Sequence, residues 1–70
     1  MSFSKGQTVV YIPTDLTSIN QGARKLVGKT TTVVGIYARG KLVEVVNKHM
    51  SLGVMLTKPS DLKLIIEDNV

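Results

Sequence analysis

Cysteine and tryptophan are absent from this sequence, histidine occurs once, and Phe3, Tyr11 and Tyr37 are its three aromatic residues. Without thiols there is no disulfide framework, and one imidazole cannot close a structural zinc centre, so neither a metal nor another cofactor is expected. No apolar run approaches the ~20 residues that a membrane-spanning helix needs. The start Met1-Ser2-Phe3-Ser4-Lys5 carries no apolar stretch of the signal-peptide kind. The expectation is a cytoplasmic protein with no membrane partner. Acids are scarce as well, with Asp15, Glu44, Asp61, Glu67 and Asp68 against nine Lys and Arg. Apart from the tail pair, none is spaced to stand beside another acid or beside His49, which an acid-base or nucleophilic site requires. His49, flanked by Lys48, Met50 and Ser51, reads as a loop or surface histidine. A non-enzymatic protein is expected.

What is present favours strands. Of 70 residues, 22 are Val, Ile or Thr, whose branched side chains suit a pleated, half-buried surface better than a helix interior. The length allows one domain over residues 1–70, burying only ~60% of the surface its unfolded chain exposes. Gln7–Ile12 reads as a first strand ended by Pro13, which removes a ladder donor. Residues 13–27 read as a long loop in which Leu16, Ile19, Ala23 and Leu26 support a short helical turn, capped by Thr14 or Ser18. Lys29–Tyr37 and Lys41–Val46 form a hairpin across Ala38-Arg39-Gly40, with Gly35 marking a bulge or sharp bend. Residues 47–52 make a second loop, Gly53–Thr57 a fourth strand, Pro59–Leu62 a tight turn and Lys63–Ile66 a last strand, before a fraying tail at 67–70.

Five short strands, a long first loop, a central hairpin and a short 3-10 turn before the last strand resemble the SH3-like small barrel. That resemblance implies strongly bent strands curling over one core, expected to hold Val9, Tyr11, Val34, Ile36, Val43, Val45, Val54, Leu56, Leu62 and Leu64. In the first strand, Val9, Val10, Tyr11 and Ile12 are all apolar, so alternation does not choose a face. Within this order, Leu26-Val27-Gly28-Lys29-Thr30-Thr31-Thr32-Val33-Val34-Gly35-Ile36 is similar to the KOW-type segment of transcription and ribosomal proteins, although Thr31 stands where that family usually has a second Gly. The resemblance implies contacts with RNA or with transcription and translation machinery.

Charge is concentrated in the middle of the chain. Residues 20–50 balance to +5, residues 1–19 to zero and residues 51–70 to −1, within a total of +4. Arg24, Lys25, Lys29, Arg39, Lys41 and Lys48 would attract phosphate backbones by counterion release, and Tyr37, beside the hairpin loop, could stack a base. The expectation is that the first-loop end and the hairpin tip share one basic surface. The plainer alternative is that these cations solubilise a β-rich chain and guard its edge strands. Gly22 and Gly28 are separated by five residues rather than the four of a phosphate-binding P-loop, and a strand follows where that motif needs a helix, so a nucleotidase is excluded.

An apolar surplus points to a different class. Val10, Ile12, Val33, Val46, Met55, Ile65 and Ile66 exceed what one small core takes, and Met50, Leu52 and Met55 would give an adaptable contact. A homodimer, or a small adaptor or inhibitor of the phage or plasmid accessory kind, is the alternative to a nucleic-acid binder. Charge reversal at Arg39 and Lys41 would then be harmless, while polar replacements at Val33 or Met55 would not. Some SH3-like barrels form oligomers around a catalytic pore, as in the plasmid-encoded type of dihydrofolate reductase. The Gln-containing motif of that family is missing here, where the chain reads Val54-Met55-Leu56-Thr57-Lys58-Pro59.

Overall fold

A computed structural model of the chain describes residues 3–65, so the tail at 67–70 and Ile66 lie outside the described residues. Among the described residues, five strands form one antiparallel sheet: β1 Thr8–Tyr11, β2 Thr30–Tyr37, β3 Leu42–Val46, β4 Val54–Thr57 and β5 Leu62–Leu64. Their order across the sheet is β4-β3-β2-β1-β5, and the sheet is not closed. A six-residue helix, α1 (Gln21–Leu26), lies between β1 and β2, and a 3-10 turn at Pro59–Asp61 leads into β5. No described helix is long and apolar enough to cross a membrane.

β2 organises the sheet because its two halves have different neighbours. Thr30, Thr31 and Thr32 pair with β1, whereas Val33 through Tyr37 pair with β3. The register shifts between Val33 and Gly35, where Val34 is the extra residue of a bulge. That extra residue changes which side chains enter the core. Strict alternation through Gly35 places Val34 and Ile36 inside. In the structure Val33 is buried, Val34 is 37% exposed, and Ile36 packs against the core from beyond the bulge.

The expected phase of β4 is also inverted. Met55 and Thr57 are buried while Leu56 is 54% exposed and Val54 is half-buried. Met55 pairs with the fully buried Val45, and Thr57 with Val43, so the interior face is set by β3 rather than by any contrast within Val-Met-Leu-Thr. Val33 and Met55 are therefore core residues, not members of an outward apolar surplus. Val9, Tyr11, Val43, Val45 and Leu62 enter the core as expected, with Leu64 packed against it. Ala23 and Leu26 of α1 complete it.

The helix starts later than Thr14 or Ser18. Asp15 organises the loop before it, accepting hydrogen bonds from the Thr17 amide at 2.9 Å and the Thr17 hydroxyl at 2.7 Å. Asn20 is the N-cap, its side-chain oxygen accepting from the Ala23 amide at 2.8 Å. α1 ends in a tight turn, with Val27 at φ −56 and ψ 129, Gly28 at φ +77, and the Lys29 amide donating to the Leu26 carbonyl at 3.0 Å. Those angles are the type II pattern, whose third residue favours glycine because it has no Cβ to clash.

The hairpin tip adopts the left-handed region without that help. Ala38 and Arg39 have φ of 53 and 58, ahead of Gly40 at φ 87. The mirror-image turn matches the twist of its strands, but each Cβ-bearing residue in it costs about 1–2 kcal/mol. The Lys41 amide donates to the Ala38 carbonyl at 3.1 Å, so Arg39 and Gly40 are the central pair of the turn. R39N, which makes that pair the favoured Asn-Gly, is expected to stabilise the fold by about 1 kcal/mol and raise Tm by about 4–8 °C. A thermal melt followed by circular dichroism checks it.

Candidate nucleic-acid interface

The basic residues fall into two groups separated by the length of β2. Lys25 ends α1, Lys29 enters β2, and Lys48 with His49 occupies the β3–β4 loop. Lys29, Lys48 and His49 border one cleft of about 290 Å³. Leu26 and Val46 form its apolar lining, Lys29, Thr30 and Thr31 one wall, and Lys48 and His49 the other. Among the described residues, no acidic side chain lines it. The Thr31 hydroxyl donates to the Val46 carbonyl, holding the first half of β2 to the end of β3.

Asn47 fixes the loop that carries Lys48 and His49. Its side chain is 1% exposed. The Asn47 amide nitrogen Nδ2 donates to the Gly22 carbonyl at 3.0 Å and to the Met55 sulfur at 3.3 Å, while Oδ1 accepts from the His49 backbone amide at 3.0 Å. Gly22 permits this approach, because a Cβ there would stand 2.8 Å from the Met50 sulfur and 3.2 Å from the His49 carbonyl oxygen. The helix bearing Lys25 and the loop bearing Lys48 are thus locked together by one buried amide.

Arg39 and Lys41 are elsewhere. They lie at the Tyr37 end of β2, and strand geometry puts that tip on the order of 20 Å from Lys29. One basic surface joining the first-loop end to the hairpin tip does not form; Lys48 joins the first group instead. Arg24 is turned to another task, its guanidinium donating to the Leu16 carbonyl at 3.0 Å and pinning the loop before α1. Tyr37 is 50% exposed, but its ring covers the bulge glycine, where a Cβ on Gly35 would lie 2.8 Å from the ring. Its hydroxyl donates to the Glu44 carboxylate at 3.4 Å. A base stacking there would meet one free ring face with a negative charge at its edge.

No family model, curated protein or solved structure matches this chain. Its chemistry is read from the side chains alone. Among the described residues, no three of His, Cys, Asp and Glu gather as metal ligands would. His49 gains its significance from neighbours distant in sequence. Its pKa lies below the ordinary histidine value, first through desolvation and then through the positive charges of Lys25, Lys48 and Lys29. The sequence signal for it was slight: an imidazole next to Lys48, with nothing local to bring Lys25 and Lys29 near.

That shift has a stability consequence. A histidine whose pKa is lowered by folding binds its proton more readily in the unfolded chain, so stability falls as pH drops through the unfolded value of about 6.5. Tm is expected to decline from about pH 7.5 to about pH 5.5, and His49→Gln to flatten that decline. Asp15 does not confuse the comparison. Hydrogen bonds from Thr17 and Ser18 lower its pKa, so its contribution is present above the unfolded carboxylate value of about 3.9 and is lost only below it. Melts of the two proteins at stepped pH make the measurement.

Proposed function

We propose that the protein is a non-enzymatic binding module that contacts the phosphate backbone of RNA or DNA, without strong sequence preference. The observation that carries this reading is the cleft bordered by Lys29, Lys48 and His49, within the field of Lys25 and with no acid among the described residues of its lining. Cations of the solubilising kind are expected to be dispersed and interleaved with acids. Here three chain segments bring like charges together at a cost in mutual repulsion, which a polyanion would relieve. An SH3-like small barrel is the fold reading that accompanies it. The strand order and the 3-10 turn ahead of β5 support that reading.

If Lys25, Lys29 and Lys48 each neutralise one phosphate, the logarithm of the association constant falls against the logarithm of salt concentration with a slope of about −2 to −3. Fluorescence anisotropy with a labelled oligonucleotide at several salt concentrations gives that slope. Absence of any salt-dependent binding to RNA and DNA would overturn the proposal.

A protein-interaction module is the second reading, favoured by the outer face of the sheet. Val34 on β2, Val46 on β3 and Leu56 on β4 are respectively 37%, 41% and 54% exposed on neighbouring strands. Under this reading Leu56→Ser abolishes function and reversal of the cleft charges does not.

A further inference from the structure

The cleft has features that a surface merely tracking a nucleic-acid strand does not need. Its basic lining comes from two segments, Lys29 in the turn into β2 and Lys48 with His49 in the β3–β4 loop, around about 290 Å³, and Lys25 of α1 is near enough to act on His49. That volume falls near the small end of ligand pockets, room for about one nucleotide unit. Successive phosphodiesters each carry a single charge and are spread along a path. Lys29, Lys48 and His49 instead border one cleft, with Lys25 near His49, and the other basic pair is at the far end of β2. A phosphate monoester fits this focus better, since it concentrates about −1.5 to −2 charges and three acceptor oxygens on one group. Leu26 and Val46 offer an apolar surface for the sugar or base attached to it, and the exposed Thr30 adds a hydroxyl donor.

We propose that this cleft is a binding site for a phosphate monoester, as carried by the phosphorylated end of a polynucleotide or by a nucleoside monophosphate, with Lys29, Lys48 and His49 as its ligands. The site rests on the reading of the protein as a phosphate-backbone binder and adds a preference for ends. His49 enters neutral or protonated according to pH. Desolvation and the charges of Lys25 from α1, Lys48 from the loop and Lys29 from the turn oppose its proton. A bound dianion reverses that balance, so binding near neutrality takes up a proton on the imidazole. Asn47 is a positioning residue, since its amide holds the Lys48–His49 loop against α1.

The test compares one oligonucleotide sequence bearing a 5′-hydroxyl, a 5′-phosphate or a 3′-phosphate, with a nucleoside monophosphate titrated separately. The expected result is at least ~10-fold tighter binding of one phosphorylated end, lost in the Lys29→Gln/Lys48→Gln double variant. Calorimetry in buffers of different ionisation heat is expected to show proton uptake at about pH 7, abolished by His49→Gln. His49 is the sole histidine, so its ring resonances report directly on occupancy. Equal, salt-dependent binding of all three oligonucleotides would overturn the site and leave the backbone-binding function standing. If no oligonucleotide binds but the monophosphate shifts the His49 resonances, the function fails and the site stands as one for the small ligand. Absence of both overturns both. A circular dichroism spectrum of each variant separates loss of ligands from loss of fold.

Discussion

Asn47→Ala is expected to lose about 3 kcal/mol of stability, read as a fall in the urea midpoint. A domain of this length holds only about 3–5 kcal/mol in total, so the variant stands at the edge of unfolding. The size of the loss follows from what the side chain leaves behind. The half-buried Gly22 carbonyl would lose this donor, and the His49 amide would lose its acceptor. Asn47→Asp separates the two halves of the amide. It keeps an acceptor for the His49 amide but sets a carboxylate oxygen against the Gly22 carbonyl, so it too is expected to destabilise. A loss below about 1 kcal/mol in both variants would mean that the loop is held by backbone bonds alone.

Reversing the charges at the cleft, Lys29→Glu with Lys48→Glu, is expected to weaken oligonucleotide binding by ~100-fold at moderate salt and to reduce the salt slope by about 2. The same reversal at the hairpin tip, Arg39→Glu with Lys41→Glu, is expected to weaken it only a few-fold, through long-range field rather than contact. Both pairs are solvent-exposed, so the fold tolerates either change. Anisotropy titrations of the two double variants at matched salt decide between them. Equal losses would restore one extended surface in place of two separate groups.

The strand positions were legible because they rest on local chemistry. Pro13 and Pro59 mark ends, Gly28 and Gly40 mark turns, and the Thr-Val-rich segment around residue 32 has strong β propensity. What failed was phase, which is a property of pairs. Val33 and Val34 are chemically identical, and only the bulge opposite β3 decides which is buried. Met55 and Leu56 are similarly close in hydropathy, so the choice falls to Val45 and to the amide of Asn47. The cleft was half legible. Lys25 and Lys29 are neighbours in sequence and were read together, but Lys48 and His49 join them through an Asn47–Gly22 bond that spans 25 residues. Nothing local in Asn47 distinguishes such a residue from an ordinary loop asparagine.

The pairing of β1 with β5 has a bearing on how the chain assembles. Val9 stands opposite Leu64, so this ladder joins residues from nearly opposite ends of the described chain, whereas β2–β3 and β3–β4 join neighbours. Loop-closure entropy makes the distant ladder the slower to form. The three-stranded meander of β2, β3 and β4, built from local pairings, is therefore expected to form before β1 and β5 dock. The last strand is then a clasp, its ladder with β1 tying the two ends of the described chain together.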